Sequence, residues 1–202
     1  VGIDTLGFVV SISALFFGLG AIPAGWLDRY IGKKRLLIIY QLGSCISALL
    51  VAFSPNFFVF VTGLSAMGLF CSIYHPTGLT LISQRISNVS KGMAIHGMFG
   101  SMGSAVGPLM AVLIAGLFSW RHSYLFLGLF NGLLSLITFL VISAKLDVKK
   151  NVDKNSQVKT NIPALVYYFI TNSFLGMAYY GFTTFMPIHL STNTSEFLPI
   201  IS

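Results

Sequence analysis

Charge is what this sequence has least of: Asp, Glu, Lys and Arg make up 8% of its 202 residues, against roughly 25% in a soluble globular chain. That scarcity excludes water as the solvent for most of the surface. Acids are rarer still, with five Asp and Glu against twelve Lys and Arg. Cysteine is nearly absent. Cys45 and Cys71 both fall inside apolar stretches with no second ligand pair nearby, so neither a disulfide framework nor a metal site is indicated, and both read as small packing residues. The phosphate loop G-x-x-x-x-G-K is missing, as is any Ser, His, Asp set in a plausible context, so nothing marks an enzyme and no cofactor is expected.

What the chain does have is length without charge. The stretches 6–27, 36–53, 57–82, 93–118, 124–144 and 163–188 contain no Asp, Glu, Lys or Arg. Each is long enough to cross a hydrocarbon core of ~30 Å, which takes about 20 helical residues. A lipid-exposed backbone has to satisfy its own hydrogen bonds, and these runs are too continuous for an alternating barrel strand, so they are expected to be helices. A buried helix of a large soluble protein would need polar helices around it, and none exist here.

The net charge of +7 would suit nucleic acid if the basic residues formed a patch. Instead they alternate with the spans. Arg29, Lys33, Lys34 and Arg35 follow the first, Arg85 and Lys91 the third, and Lys145, Lys149, Lys150, Lys154 and Lys159 the fifth, leaving Arg121 alone in an opposite-side loop. This positive-inside asymmetry places the three basic loops in the cytoplasm and makes a lipid bilayer, not nucleic acid, the expected partner. Residues 1–5 then lie outside without an initiator Met or a signal-peptide pattern, so a helix is expected upstream. The polar stretch 145–162 reads as a cytoplasmic linker, and the tail 191–202 either begins another span or ends the piece.

Four segments carry more than hydropathy. Between the first two spans, residues 25–35 form a charged turn bounded by Gly25 and Gly32, with Asp28, Arg29, Lys33 and Lys34 between or beside them. In the third stretch, Tyr74-His75-Pro76 interrupts the apolar run. Pro76 cannot donate to the Ser72 carbonyl, so a kink is expected there. His75 is the ionisable residue deepest in a span, which makes it a candidate substrate or proton site, with Tyr74 beside it. The alternative for His75 is a neutral ring hydrogen-bonded to a neighbouring helix. In the fourth stretch, Gly103 and Gly107 followed by Pro108 put small residues at i and i+4, which lets two helices approach, and the proline bends the chain. Trp120-Arg121 at the start of the fifth stretch, taken alone, is an interfacial aromatic anchor with one charge.

Taken in order, these segments resemble those of the major facilitator superfamily. Gly25 to Gly32 with Lys33 and Lys34 is similar to the loop signature G-x-L-a-D-r-x-G-r-k. Gly103, Gly107 and Pro108 are similar to the G-x-x-x-G-P signature of its antiporters, and Trp120-Arg121 to the opening of its sixth helix. Asp28 stands one place earlier than the signature's acid and Arg29 fills that slot, a shift that a one-residue helical bulge would restore. Leu64 stands where many drug and sugar members have an Arg. The combination of Tyr74-His75-Pro76 with the glycine–proline segment looks most like the fosmidomycin-resistance type of efflux member.

The resemblance implies an all-α membrane protein, a major-facilitator-type bundle with about six transmembrane helices of an expected twelve. Residues 1–144 would be helices two to six of the N-terminal bundle with helix one missing, 145–162 the linker, and 163–202 helix seven and a tail. It further implies a secondary active transporter working by alternating access in the cell inner membrane, monomeric when complete. Its small organic substrate would leave by proton-coupled efflux, with an ion gradient in place of a cofactor. Substrate contacts are expected mid-span from Asn172 and Tyr179, the latter with simple packing as its alternative. An uptake symporter for an organic acid or sugar, or a truncated protein without transport activity, are the competing expectations.

Overall fold

The structure, a computed structural model, describes residues 3–141 and 162–192. Every element among them is an α-helix: α1 (Ile3–Ile31), α2 (Lys33–Ala52), α3 (Phe57–Cys71), α4 (Tyr74–Arg85), α5 (Val89–Leu117), α6 (Trp120–Val141) and α7 (Ile162–Thr192). Among the described residues, Gly7–Asp28, Lys33–Ala52, Phe57–Arg85, Val89–Leu117 and Trp120–Val141 are each long and apolar enough to cross a bilayer, with mean hydropathy of 1.7 to 2.0. They coincide with the first five charge-free stretches, and α7 occupies the sixth. The protein is thus a multi-pass membrane protein whose described residues form only helices, as a backbone in lipid requires. The expected linker and the end of the tail lie outside the described residues.

One connection differs from the sequence expectation. Residues 25–35 are not a charged turn: α1 is helical through Ile31, α2 starts at Lys33, and Gly32 alone joins them. Gly32 has φ 85° and ψ 152°, a left-handed φ that a side chain would strain. The basic residues Lys33, Lys34 and Arg35 therefore form the first turn of α2, because long basic side chains can lie along a helix and still carry their charge to the interface. No bulge restores the register of Asp28, since α1 stays α-helical across it.

The third span breaks one turn before Pro76, at the Ser72 carbonyl to which Pro76 cannot donate. α3 ends at Cys71, Ser72 and Ile73 form a turn, and Pro76 sits in the first turn of α4, where a missing N–H costs no helical bond. At the break, Ile73 N donates to Phe70 O at 3.2 Å and Ser72 Oγ donates to Leu69 O at 2.6 Å, so the tightened last turn satisfies its own carbonyls.

Helices α1 to α4 and α6 pack through small side chains. Ala24, Leu36 and Ile73 form a buried cluster with Leu27, Ile31, Tyr40 and Phe70 against it. Ser44, Ser47, Ser72, Thr77, Asn131, Ser135 and Thr138 are also buried. Small and hydroxyl residues bring the backbones close, which is how helices associate where lipid removes the hydrophobic drive. Gly68 of α3 lies against the backbone carbonyl of Ser13 in α1, and Ser13 Oγ donates to Leu64 O at 2.9 Å. On the other side of α2, a Cβ placed on Gly128 of α6 would come within 3.1 Å of Leu49.

At the face opposite the basic residues, Arg121 braces the bundle. Its guanidinium donates to the carbonyl of buried Ser54 at 2.7 Å and stands 4.4 Å from the centre of the Trp120 ring. A charge-assisted bond of this kind contributes about 1.5–3 kcal/mol. The Trp-Arg pair is therefore both an interfacial anchor and a clamp between the start of α6 and the α2–α3 turn. In contrast, α5 has no buried residue.

Candidate functional site

The charged joint on the basic face is built by the last turn of α1 and the first of α2. Lys33 Nζ lies 3.0 Å from Asp28 Oδ2, with side chains 9% and 12% exposed. This pair closes across Gly32, five residues apart in sequence. The shifted acid therefore finds a cation directly after the joint. The second oxygen, Asp28 Oδ1, is buried without a hydrogen-bond partner among the described residues. Lys34 points elsewhere: its Nζ donates to the Phe139 carbonyl at 2.8 Å and stands 5.2 Å from that ring's centre. Phe139 is in the last turn of α6, where carbonyls lack helical donors and the dipole favours a cation. The side chain of Arg29 lies outside the described residues. Gly25 faces Pro76 of α4, and a Cβ there would sit at an ordinary 3.8 Å, so of the two glycines only Gly32 is required by the backbone.

The second grouping sits where the third span is broken. The Tyr74 ring packs against Tyr40 of α2 at 5.3 Å, His75 at 5.6 Å and His96 of α5 at 5.5 Å. His75 and His96 meet edge to face at 6.1 Å, and Phe17 of α1 meets His75 at 5.9 Å. The Tyr74 hydroxyl is 3.4 Å from His96 Nδ1. Four helices thus converge on two imidazoles and two phenols. His75 itself is exposed and Tyr74 partly buried. One turn on, Thr77 is fully buried and its hydroxyl has no partner among the described residues.

The glycine–proline segment of α5 behaves differently from the expectation. A Cβ on Gly103 or Gly107 would meet nothing within 4 Å, so among the described residues no helix approaches there. Pro108 is accommodated inside the unbroken helix α5. Gly103 and Gly107 instead line an apolar cavity of about 840 Å³, with Met67, Met110, Trp120 and Tyr124 also on its walls. Tyr179 is exposed on α7, and the side chain of Asn172 lies outside the described residues.

Sequence reading therefore placed Asp28, Lys33 and Lys34 at one joint and Tyr74 with His75 at one break, but missed Tyr40 and His96 as their partners. Tyr40 lies among apolar residues of α2, and His96 is separated from Tyr74 by 22 positions. Their aromatic, titratable chemistry inside charge-free stretches was the available signal.

A bundle of membrane-crossing helices, with an ion-paired joint on its basic face and a histidine–tyrosine group at an interrupted span, defines a polytopic membrane protein with a polar group where four of its helices meet. The chain belongs to the Major Facilitator Superfamily, a family of membrane transporters, which it matches over residues 1–200. It is also similar to the multidrug efflux pump LfrA of Mycolicibacterium smegmatis, 27% identical over 106 residues, or 51% of this chain. That match spans 21% of the pump's length, about one fifth of this curated relative.

Proposed function

We propose that the protein is a secondary active transporter that exports a small organic molecule by alternating access, driven by protons. Its place in the family and its similarity to an efflux pump support the export reading. One observation carries the proton coupling: His75 stands with Tyr74 and His96 at a broken span. A proton-driven cycle needs a group that titrates within the membrane, and the charge-free stretches hold no carboxylate. The joint formed by Gly25, Asp28, Arg29, Gly32, Lys33 and Lys34 acts as the gate on the basic face, which lies in the cytoplasm of the cell inner membrane. The segment with Gly103, Gly107 and Pro108 gives α5 the antiporter character, and with Tyr74-His75-Pro76 it supports a fosmidomycin-resistance-like member. Asn172 and Tyr179 contact the substrate, and the complete transporter works as a monomer, with residues 1–144 in its first bundle and α7 opening the second.

The test is proton flux in proteoliposomes of known orientation carrying the full gene product. Trapped pyranine reports internal pH while a panel of small organic ions is added. Export coupled to proton entry is expected, with its pH profile altered by His75→Gln. An unchanged profile in that variant rules out His75 as the carrier, and substrate moving in with protons establishes the uptake symporter instead. In the same assay Asn172→Ala should weaken apparent affinity, and unchanged affinity removes Asn172 from the site.

A further inference from the structure

We propose that His75 and His96 form one proton-binding unit, in which Tyr74 keeps His96 hydrogen-bonded whether His96 is neutral or charged. Its use in transport rests on the proton-coupled reading above; the pairing itself does not.

The chemistry follows from the tautomers. When His96 is neutral with its hydrogen on Nε2, Nδ1 is an acceptor and the Tyr74 hydroxyl, 3.4 Å away, donates to it. When His96 takes a proton on Nδ1, that N–H donates to the phenol oxygen and the hydroxyl hydrogen turns away. Only the proton from bulk is gained, and no other bond forms or breaks. Tyr40, packed against the Tyr74 ring at 5.3 Å, holds the phenol in place for both states. His75 has a different surrounding: its close partners are the rings of Phe17, Tyr74 and His96. Among the described residues, a charge there meets aromatic rings in edge contacts, which support a cation poorly.

The groups facing the pair do not supply a counter-charge. α1 presents Phe17, and its Asp28 is paired with Lys33. α2 presents Tyr40, which touches Tyr74. On the two helices that carry the pair, the further charged residues are Arg85 of α4 and Lys91 of α5, both cations. Among the described residues no carboxylate lies against either imidazole. With ring centres 6.1 Å apart, two imidazolium charges would oppose each other by about 0.5 to 2 pH units, for effective dielectric constants between bulk water and a protein surface. The second proton is therefore taken up at a lower pH than the first, and the titration belongs to the pair.

The experiment counts protons. Histidine-labelled protein in lipid nanodiscs is titrated from about pH 8 to about pH 5, around the ordinary histidine value, with ring ¹⁵N shifts reporting each imidazole. His122, hydrogen-bonded to Ser119 at 2.8 Å near the start of α6, serves as an internal reference. The wild-type pair should take its two protons in two separated steps, His75→Gln and His96→Gln should each take one in a single step, and the double variant none. Uptake of both protons by the wild type at the pH where each single variant takes its one would overturn the pairing. Tyr74→Phe keeps the ring and removes the hydroxyl, so the shared proton should move from His96 towards His75; an unchanged distribution overturns the role of Tyr74. Spectral dispersion at His122 shows whether each variant is folded, and Asn in place of Gln at either position gives a second variant if it is not. A shared proton in the spectra, with a normal pH profile for transport by the double variant, would leave the pair standing and remove the proton-coupled reading instead.

Discussion

The glycines of α3 and those in the middle of α5 have the same chemistry and opposite surroundings. Gly68 of α3 touches the backbone of α1, and Gly63 has Val51 of α2 within the reach of a single added carbon, at 2.7 Å. Gly97, Gly100, Gly103 and Gly107 of α5 have open space, although their spacing is the more regular. A small-residue stripe thus permits close approach without showing that it occurs. What decides is whether the opposite helix brings a backbone or only its side chains. In the α1–α3–α2 region the helices are fixed at contact distance, and α5 is held mainly by its edge against α4 and α6.

Substitutions separate the two regions in order of expected effect. Lys33→Met should cost most, about 3 kcal/mol, because it strands the nearly buried Asp28 carboxylate without its cation. The double change Asp28→Leu with Lys33→Met should recover much of that loss, measured as the thermal midpoint in detergent. Gly68→Val comes next at about 2–3 kcal/mol, since its branched carbon meets the Ser13 carbonyl and not a movable side-chain end. Gly128→Ala should cost about 1 kcal/mol, because Leu49 has to give by a few tenths of an ångström. Gly103→Ala is expected to change little or to stabilise by about 0.5–1 kcal/mol through helix propensity alone. A loss at Gly103 comparable to that at Gly68 would break the comparison and mean that another helix covers α5. Unchanged stability with reduced transport would sharpen it, marking the open face of α5 as a surface used during the cycle.

Much of the fold was legible because lipid imposes a composition that a single sequence displays. Charge-free lengths marked the spans, and the basic residues marked their alternation. The failures came at junctions. Lys33, Lys34 and Arg35 were assigned to a turn by charge, yet charge does not end a helix whose side chains can reach the interface, and only the φ of Gly32 does so. Pro76, by contrast, did mark a break, which falls one turn before it at Ser72 and Ile73, where the carbonyl it cannot reach lies. The ion pair between Asp28 and Lys33 bridges a joint whose geometry is not a spacing rule. The meeting of Tyr74 with Tyr40 and His96 depends on how three helices cross, which no local pattern records.

The Lys34 contact ties together two ends that the chain separates by 105 residues. Because its ammonium is seated on the final turn of α6, any tilt of that helix pulls on the first turn of α2, and through the single residue Gly32 on the end of α1. The basic rim therefore behaves as a linkage of short rigid rods with one swivel. A displacement begun at the end of α6 reaches Asp28 as a change in direction and not as a loosening.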